Sequence, residues 1–148
     1  AREYLPKIGY KQRIGLINPI IRGLVGEKMS SSVESSKIDL LDNEEEVRKK
    51  INKAEFVIGN PNNGVMALLR YFIFVLKEDK KEKFVIECPE KFGGNLKYTN
   101  YNSIEKDFMS KKIHPLDLKN AVAKELNFLL TNFRKNKKLH NLYTEAYK

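Results

Sequence analysis

Apolar side chains recur at nearly helical spacing over most of the chain after residue 37, which predicts a mainly helical fold. The clearest stripe follows Pro115, a residue type favoured at the first position of a helix. It comprises Leu118, Val122, Leu126, Leu129 and Phe133. Residues 65–77 are apolar on nearly every side, so they predict a helix at the centre of the core. A last helix is predicted over residues 137–147.

Two more helices are indicated by residues that can cap a first turn. Asp42 is a good N-cap, and Glu45, three residues later, is its predicted capping-box partner. This helix runs to about residue 54, with acidic residues first and basic residues afterwards, the order that complements the helix dipole. Asn102 or Ser103 is predicted to cap another helix that ends near residue 112.

Two short strands are predicted at residues 83–87 and 97–101. A Gly-Gly-Asn sequence lies between them, which favours a small hairpin or strand pair. Cys88, Tyr98 and Tyr101 are interpreted as ordinary strand residues.

The first 36 residues have a different character. Residues 1–8 predict a short helix that stops near Pro6 and Gly9, and residues 13–17 predict a strand. A segment rich in glycine and serine follows, which argues for a mobile loop rather than a regular element. The predicted fold class is therefore mainly α with a small β-hairpin.

The composition narrows the class of protein. The chain has 148 residues, and 28 Lys and Arg against 19 Asp and Glu give a net charge of +9. A hydrophobic content of 41% is enough for a core and excludes wholesale disorder. The single cysteine argues against a disulfide scaffold, and no apolar run approaches the ~18 residues of a membrane span. The charge favours a polyanionic partner, although a basic composition also serves solubility.

One segment carries candidate chemistry. Lys28 stands beside the hydroxyls of Ser30, Ser31 and Ser32 in a stretch that begins with Gly26. An ammonium group and hydroxyls on a flexible loop can bind a polyphosphate and neutralise a leaving pyrophosphate. On spacing alone, a solvated linker is the more ordinary interpretation. One cysteine and two distant histidines do not match metal-ligand spacing, so no metal site is predicted.

The sequence Gly-Glu-Lys-Met-Ser-Ser-Ser at residues 26–32 resembles the KMSKS loop of class I aminoacyl-tRNA synthetases. Residues 36–42 and 48–54 are similar to the tyrosyl-tRNA synthetases of the archaeal and eukaryotic type. Two later strings, Glu-Lys-Phe-Gly-Gly-Asn at 90–95 and His-Pro-Leu-Asp-Leu-Lys-Asn at 114–120, resemble the same family. These matches are colinear and cover essentially the whole chain.

The resemblance implies two domains. Residues 1–36 would be the C-terminal tail of a Rossmann-type α/β catalytic domain, including the loop. Residues 37–148 would be the helical anticodon-binding domain. In such enzymes, tyrosine reacts with ATP to give tyrosyl-adenylate, and the tyrosyl group then passes to tRNA(Tyr).

The resemblance also implies roles within the loop. Lys28, Ser30 and Ser31 would act in catalysis, and these residues together with Met29 and Ser32 would bind ATP and pyrophosphate. Ser31 stands where KMSKS has its second lysine, as in the eukaryotic-type relatives, so less positive charge is available. Lys28, Mg²⁺ associated with ATP or another cation is expected to carry that load. No protein-bound metal is implied.

Four residues would bind the tRNA anticodon in such a protein. Phe92 would stack on a base, Asp117 would accept hydrogen bonds from the first anticodon base, a guanine, and His114 and Pro115 would border the third. Stacking on an aromatic ring is worth ~1–3 kcal/mol per base, and unpaired loop bases expose the edge that a carboxylate can read. The residues alone leave structural alternatives open. Phe92 could be a core ring, His114 a helix N-cap and Asp117 an acid that stabilises the helix dipole.

The HIGH motif of class I synthetases is absent from the sequence, because neither His114 nor His140 has the right context. We therefore expect the chain alone to be inactive, as a piece of a longer enzyme or one chain of a split enzyme, with the tyrosine pocket elsewhere. A tryptophanyl relative and a non-catalytic tRNA-binding module are the alternative interpretations. A homodimer, a cytoplasmic location and no association with membranes are also expected.

Overall fold

The structure is a computed structural model that describes residues 3–12, 14 and 18–146, and of Phe92 the backbone alone. Apart from Ile14, the strand predicted over residues 13–17 lies outside the described residues. The outer ends of the first and last predicted helices also lie outside them.

Helices dominate the described part of the chain, and two short strands pair beside them. The elements are α1 (Tyr4–Lys7), α2 (Glu44–Lys53), α3 (Gly64–Leu68), α4 (Phe74–Lys80), β1 (Phe84–Ile86), β2 (Leu96–Tyr98), α5 (Tyr101–Met109), α6 (Pro115–Arg134) and α7 (Lys137–Ala146). The predicted fold class, mainly α with a small β-hairpin, is confirmed, since the two strands pair antiparallel. The predicted division of the chain at residue 36 stays a prediction.

Helix α2 begins one residue later than the sequence pattern predicts. Its N-cap is Asn43, whose Oδ1 accepts the backbone N–H of Glu46 at 2.9 Å, while the Glu46 carboxylate accepts the Asn43 N–H at 2.8 Å. The prediction of Asp42 and Glu45 as the capping box is therefore wrong. Asp42 is engaged elsewhere, because its Oδ2 accepts the Asp39 N–H at 2.9 Å and the Lys50 ammonium at 2.7 Å.

Helix α5 also starts at a different residue. Asn100 is the N-cap, and its Oδ1 accepts the Ser103 N–H at 3.0 Å, so neither Asn102 nor Ser103 has that role. Strand β2 ends at Tyr98, which places Tyr101 in the helix rather than in a strand. The alternation of apolar residues ends at Tyr98, because the next alternate position is Asn100, the residue that caps α5.

The helix predicted over residues 65–77 is present but is interrupted and only half buried. A π-helical turn, Leu69–Ile73, separates α3 from α4. Val65, Met66, Leu69, Ile73 and Phe74 are buried in the core. The opposite face leaves four large side chains 39–50% exposed, so the prediction that the whole helix is central to the core is wrong. These are Tyr71, Phe72, Val75 and Leu76.

The two strands pair antiparallel, with Phe84 opposite Tyr98 and Ile86 opposite Leu96. The connection is not a tight hairpin turn, because it contains a short 3₁₀-helix at Glu90–Phe92. Gly93 follows with φ of 99°, a left-handed conformation that favours glycine. Phe84 and Ile86 point into the core and pack the strand pair beside α6.

A single hydrophobic core joins the glycine-rich and serine-rich segment to the helices. Leu24 is fully buried within the same cluster as Val47 and Ile51 of α2 and Val65 of α3. At this junction the backbones meet without side chains between them. A Cβ added at Gly64 would lie 2.2 Å from the carbonyl oxygen of Gly23. The segment that carries the predicted KMSKS-like loop is thus anchored on the helical body.

We expect Gly64→Ala to destabilise the protein. Replacing glycine by alanine in a helix ordinarily stabilises it by up to about 1 kcal/mol. Here the added methyl group clashes with fixed backbone, so a net loss of about 1–3 kcal/mol is expected from overpacking. Urea unfolding followed by circular dichroism measures the change. An unchanged or raised midpoint would contradict the close approach of Gly23 and Gly64.

Candidate functional site

The KMSKS-like loop is held in shape by one buried hydroxyl. Ser36 is 1% exposed, and its Oγ accepts the backbone N–H of Ser30 at 3.0 Å. The same hydroxyl is within donating distance of the carbonyl oxygens of Val33, at 2.7 Å, and Ser30, at 3.2 Å. Met29 packs partly against the hydrophobic core. The serine-rich segment therefore has a defined path, which the expectation of a mobile loop did not include.

The groups predicted to bind phosphates lie on the outer side of this loop. Lys28, Ser31 and Ser32 are exposed, and Ser30 is half-buried. The hydroxyls of Ser30 and Ser32 are 2.9 Å apart, so the structure brings these two together. Met29 and the Ser30 backbone thus fix one side of the loop. The other side carries Lys28 and the hydroxyls of Ser30, Ser31 and Ser32.

Backbone hydrogen bonds connect the loop to the end of α2. The Leu24 N–H donates to the carbonyl oxygen of Ser36 at 2.9 Å, and the Glu55 N–H donates to the carbonyl oxygen of Leu24 at 2.8 Å. The Gly26 N–H donates to the Glu55 carboxylate at 3.2 Å. The N-terminal end of the loop is therefore fastened to Glu55, which follows α2, and its C-terminal end is fastened to Leu24.

The second predicted group of residues lies at the start of α6. His114 is the N-cap, and its Nδ1 accepts the Leu116 N–H at 3.3 Å. Pro115 is the first helical residue, and Asp117 lies in the first turn. His114 therefore acts as a helix N-cap, and Asp117 lies where an acid stabilises the helix dipole. These structural roles are compatible with anticodon binding, which stays a prediction. The side chain of Phe92 lies outside the described residues, so its predicted stacking role stays a prediction.

Asp117 opens onto a cavity of about 370 Å³ between α2, α6 and the end of β1. Arg48 of α2 and Asn120 and Lys124 of α6 also line it. Glu87 lies at the rim, where it is paired with the Lys124 ammonium. A carboxylate, an amide and a guanidinium thus face one space that is large enough for a flat polar group. Such a set can read a base edge and bind an adjacent phosphate.

Cys88 lies beside Asp117, beyond the end of β1, and is not the ordinary strand residue that was predicted. Its Sγ is 3.7 Å from the Asp117 Oδ2 and is the donor of a weak hydrogen bond. Burial raises the pKa of the Cys88 thiol, and the neighbouring Asp117 carboxylate raises it further. The neutral thiol is therefore the form that stays beside the carboxylate.

Lys119 fixes the first turns of α6 against α2. Its Nζ donates to the carbonyl oxygens of Asn52 and Ala54, each at 3.0 Å, and lies 5.1 Å from the ring centre of Phe56. These carbonyls end α2, where a cation also suits the helix dipole. Burial lowers the pKa of the Lys119 ammonium. Because Asp117 is two residues away on the same helix, these contacts set its position relative to Arg48.

The loop and the helical body that carries Asp117 both lie within a stretch that matches a known family. The family model described as tRNA synthetases class I (W and Y) matches residues 1–131. The chain belongs to this family. Its similar relatives are tyrosine–tRNA ligases, so the resemblance stated from the sequence is confirmed.

Two of these relatives show how far the similarity extends. The Gallus gallus protein named tyrosine–tRNA ligase, cytoplasmic, is 48% identical over 99% of this chain. The Methanosarcina barkeri tyrosine–tRNA ligase is 45% identical over 91% of it. The chain spans 28% of the first relative's length and 41% of the second's.

Solved structures give the same result. The tyrosyl-tRNA synthetase of Archaeoglobus fulgidus, determined with L-tyrosine, superposes with a TM-score of 0.80 at 42% identity, over 90% of this chain and 41% of that one. The Aeropyrum pernix tyrosyl-tRNA synthetase superposes with a TM-score of 0.76 at 31% identity, over 90% of this chain and 38% of that one.

Among the helices that the structure describes, none has the length and apolar character to cross a bilayer.

Sequence reasoning missed several residues around Asp117. Asn120 and Lys124 lie three and seven positions after it, which is the spacing of one helical face, so this pattern could have found them. Arg48, Glu87 and Cys88 come from other elements. No local pattern connects these three to Asp117, and only the packing of α2 and β1 against α6 does.

We expect Asp117→Asn to speed the alkylation of Cys88. Removing the negative charge removes part of the rise in the Cys88 pKa, while the part due to burial remains. More thiolate is then present at pH 8, and the pH profile of the rate moves to lower pH. The rate of reaction with iodoacetamide measures this, because Cys88 is the single cysteine of the chain.

Asp79→Asn is the matched control, since Asp79 is an exposed acid of α4. It should leave the pH profile unchanged. A profile that is insensitive to Asp117→Asn would contradict the contact between the Cys88 thiol and the Asp117 carboxylate.

Proposed function

We propose that this chain is part of a tyrosine–tRNA ligase and supplies its pyrophosphate-stabilising loop and its anticodon-binding domain. The observation that carries the proposal is the attachment of the KMSKS-like loop to the helical body that holds Asp117 in an open cavity. The names of the relatives support tyrosine as the amino acid and tRNA(Tyr) as the acceptor. The name of the Gallus gallus relative supports a cytoplasmic location. A homodimer is part of this proposal.

The loop suits the activation of tyrosine by ATP. A carboxylate oxygen of tyrosine attacks the α-phosphorus, the bond to the β-phosphate oxygen breaks, and pyrophosphate leaves with its electron pair. The exposed Lys28 ammonium stabilises the negative charge that develops on the leaving group. Ser30, Ser31 and Ser32 donate hydrogen bonds to phosphate oxygens, and Met29 holds this arrangement against the core. The acceptor pocket for tyrosine belongs to the remainder of the enzyme.

Because Ser31 is neutral, other groups must stabilise the negative charge of the ATP phosphates and of the leaving pyrophosphate. Mg²⁺ would enter with the ATP phosphates, because it is a hard cation that is ordinarily bound through substrate phosphate oxygens. Bound in this way, Mg²⁺ supplies charge neutralisation of the phosphates. Lys28 is then the protein's own cation in the loop.

The start of α6 suits recognition of an unpaired base. The Asp117 carboxylate accepts hydrogen bonds from the N–H groups on the Watson–Crick edge of guanine, the expected first anticodon base. His114 and Pro115 border the third base, and the Phe92 ring stacks on a base. Arg48 faces the same cavity and offsets the repulsion between the Asp117 carboxylate and the RNA phosphates.

Lys28→Ala in the full-length enzyme is expected to slow tyrosine-dependent pyrophosphate exchange by about 10²–10³-fold, as for loss of one preorganised group that stabilises a transition state. The KM for tyrosine should change little, because Lys28 acts on the leaving group. Lys83→Ala, which removes an exposed lysine distant from the loop in sequence, is the control.

An unchanged rate of pyrophosphate exchange in Lys28→Ala would contradict the proposed role of the loop in stabilising pyrophosphate. Exchange that depends on tryptophan rather than tyrosine would indicate the tryptophanyl alternative, and absence of any exchange in the full-length protein would indicate the non-catalytic module.

Asp117→Ala is expected to raise the KM for tRNA(Tyr) and to reduce discrimination against a changed first anticodon base. Loss of one base-edge contact costs about 1–3 kcal/mol, which is a factor of roughly 5–150. Aminoacylation of tRNA(Tyr) and of a transcript with an altered first anticodon base measures both effects. An equal loss in pyrophosphate exchange, which needs no tRNA, would mean misfolding instead of lost base recognition.

A further inference from the structure

A second polar cleft lies at the junction of the loop-bearing segment and the helical body, and the proposed function leaves it without a role. It has a volume of about 270 Å³ and is lined on one side by Ile20 and Arg22 and on the other by residues of the helical body. Arg70, Tyr71 and Tyr101 are among the latter. None of its lining residues lines the cavity at Asp117.

The π-helical turn between α3 and α4 places two side chains in this cleft. Arg70 and Tyr71 both belong to the turn Leu69–Ile73. π-Helical turns are rare and occur frequently at functional sites. The Arg70 guanidinium lies 5.2 Å from the ring centre of Tyr101 and 5.4 Å from that of Tyr71, so the two rings orient it.

The cleft contains two cations that lack acidic partners. Within the described residues, neither Arg22 nor Arg70 makes a hydrogen bond or an ion pair to a carboxylate. The acid in the lining, Glu105, accepts the hydroxyl of Tyr101 at 2.8 Å. Two guanidinium groups against one such carboxylate leave the cleft positively charged.

We propose that this cleft binds the RNA backbone, with Arg22 and Arg70 contacting a phosphate and the Tyr71 ring stacking on an adjacent base. A guanidinium group matches a phosphate through two parallel N–H bonds. Tyr71 is 39% exposed, which leaves ring surface for stacking. The proposal rests on the proposed function, since the RNA is then the tRNA substrate, and it adds a contact outside the anticodon site.

This site differs from the one at Asp117 in what it recognises. Phosphate contacts position an RNA and carry no sequence information directly, whereas contacts to base edges discriminate. Loss of Arg22 or Arg70 should therefore weaken the binding of every tRNA alike. Each lost phosphate contact should also make the dependence of log K on log salt concentration less steep by about 0.7–0.9.

The experiment measures the Kd of the full-length protein for tRNA(Tyr), and for a transcript with an altered first anticodon base, at several salt concentrations between 50 and 200 mM. We expect Arg22→Ala and Arg70→Ala to weaken the binding of both RNAs by the same factor. Each variant should also make the dependence of log K on log salt concentration less steep. Arg70→Lys keeps the charge but not the planar fork, so it should retain the slope while losing affinity. Tyr71→Ala should weaken binding by about fivefold or more with an unchanged slope, and Tyr71→Phe should restore it.

Lys80→Ala is the matched control, because it removes one exposed positive charge near the end of α4, outside the cleft. Equal effects of Lys80→Ala and Arg70→Ala would overturn the proposal, since general electrostatics would explain both. The proposal would also be overturned if the arginine variants weakened ATP binding in the absence of tRNA and left the tRNA slope unchanged, because the phosphate would then belong to a free nucleotide.

The outcomes separate the two proposals. If Asp117→Ala loses anticodon discrimination while the arginine variants bind normally, the cleft proposal fails and the proposed function stands. If the wild-type protein binds neither RNA, both fail.

Discussion

The close approach of Gly23 to Gly64, with Leu24 buried beside it, is the constraint on which the arrangement of both candidate sites depends. It lets the backbone of the loop-bearing segment lie against the start of α3, and Leu24 then bonds through its N–H to Ser36 and through its carbonyl to Glu55. Ser36 in turn shapes the loop at Ser30. This loop exposes Lys28, Ser31 and Ser32 and still keeps a defined path, because its other face is fixed in this way. The same core cluster holds α2 and α6, which form the cavity at Asp117.

Much of the fold follows from local signals in the sequence. The apolar stripe after Pro115 gives α6 because its period matches one helix face and because proline and His114 define its start. The capping residue of α2 does not follow from residue type, because aspartate and asparagine are both favoured N-caps and Asp42 and Asn43 are adjacent. Asp42 is engaged by Asp39 and Lys50, so Asn43 caps α2. The exposed face of the Leu69–Ile73 turn could not be predicted, because side-chain hydrophobicity alone does not tell which apolar face is buried.

The candidate sites divide in a similar way. Lys28 and the serines could be singled out because they are adjacent in sequence, and Asp117 because it belongs to a recognisable string. Arg48 lines the same cavity as Asp117 from 69 positions earlier, and Cys88 contacts Asp117 from 29 positions earlier. Arg22 and Arg70 line one cleft although they are 48 positions apart. Such groupings arise from tertiary packing and leave no periodic trace in the chain. Ser36 is similar, since nothing in a serine-rich run shows which hydroxyl becomes buried.

The effect of the excess positive charge depends on which basic side chains are already paired with acids. An acid that reads a base edge repels the phosphates on either side of that base, so Asp117 in its proposed role needs nearby cations that are not already paired with other acids. Lys124 is paired with Glu87, and Lys119 is directed to the end of α2, which leaves Arg48 as the lining cation without such a partner among the described residues. In the second cleft the acid is the group that has a partner. The Tyr101 hydroxyl donates to the Glu105 carboxylate, and Arg22 and Arg70 line the cleft without an acidic partner among the described residues. The net charge of +9 is therefore less informative than the pairing of individual groups, which determines where a polyanion can bind.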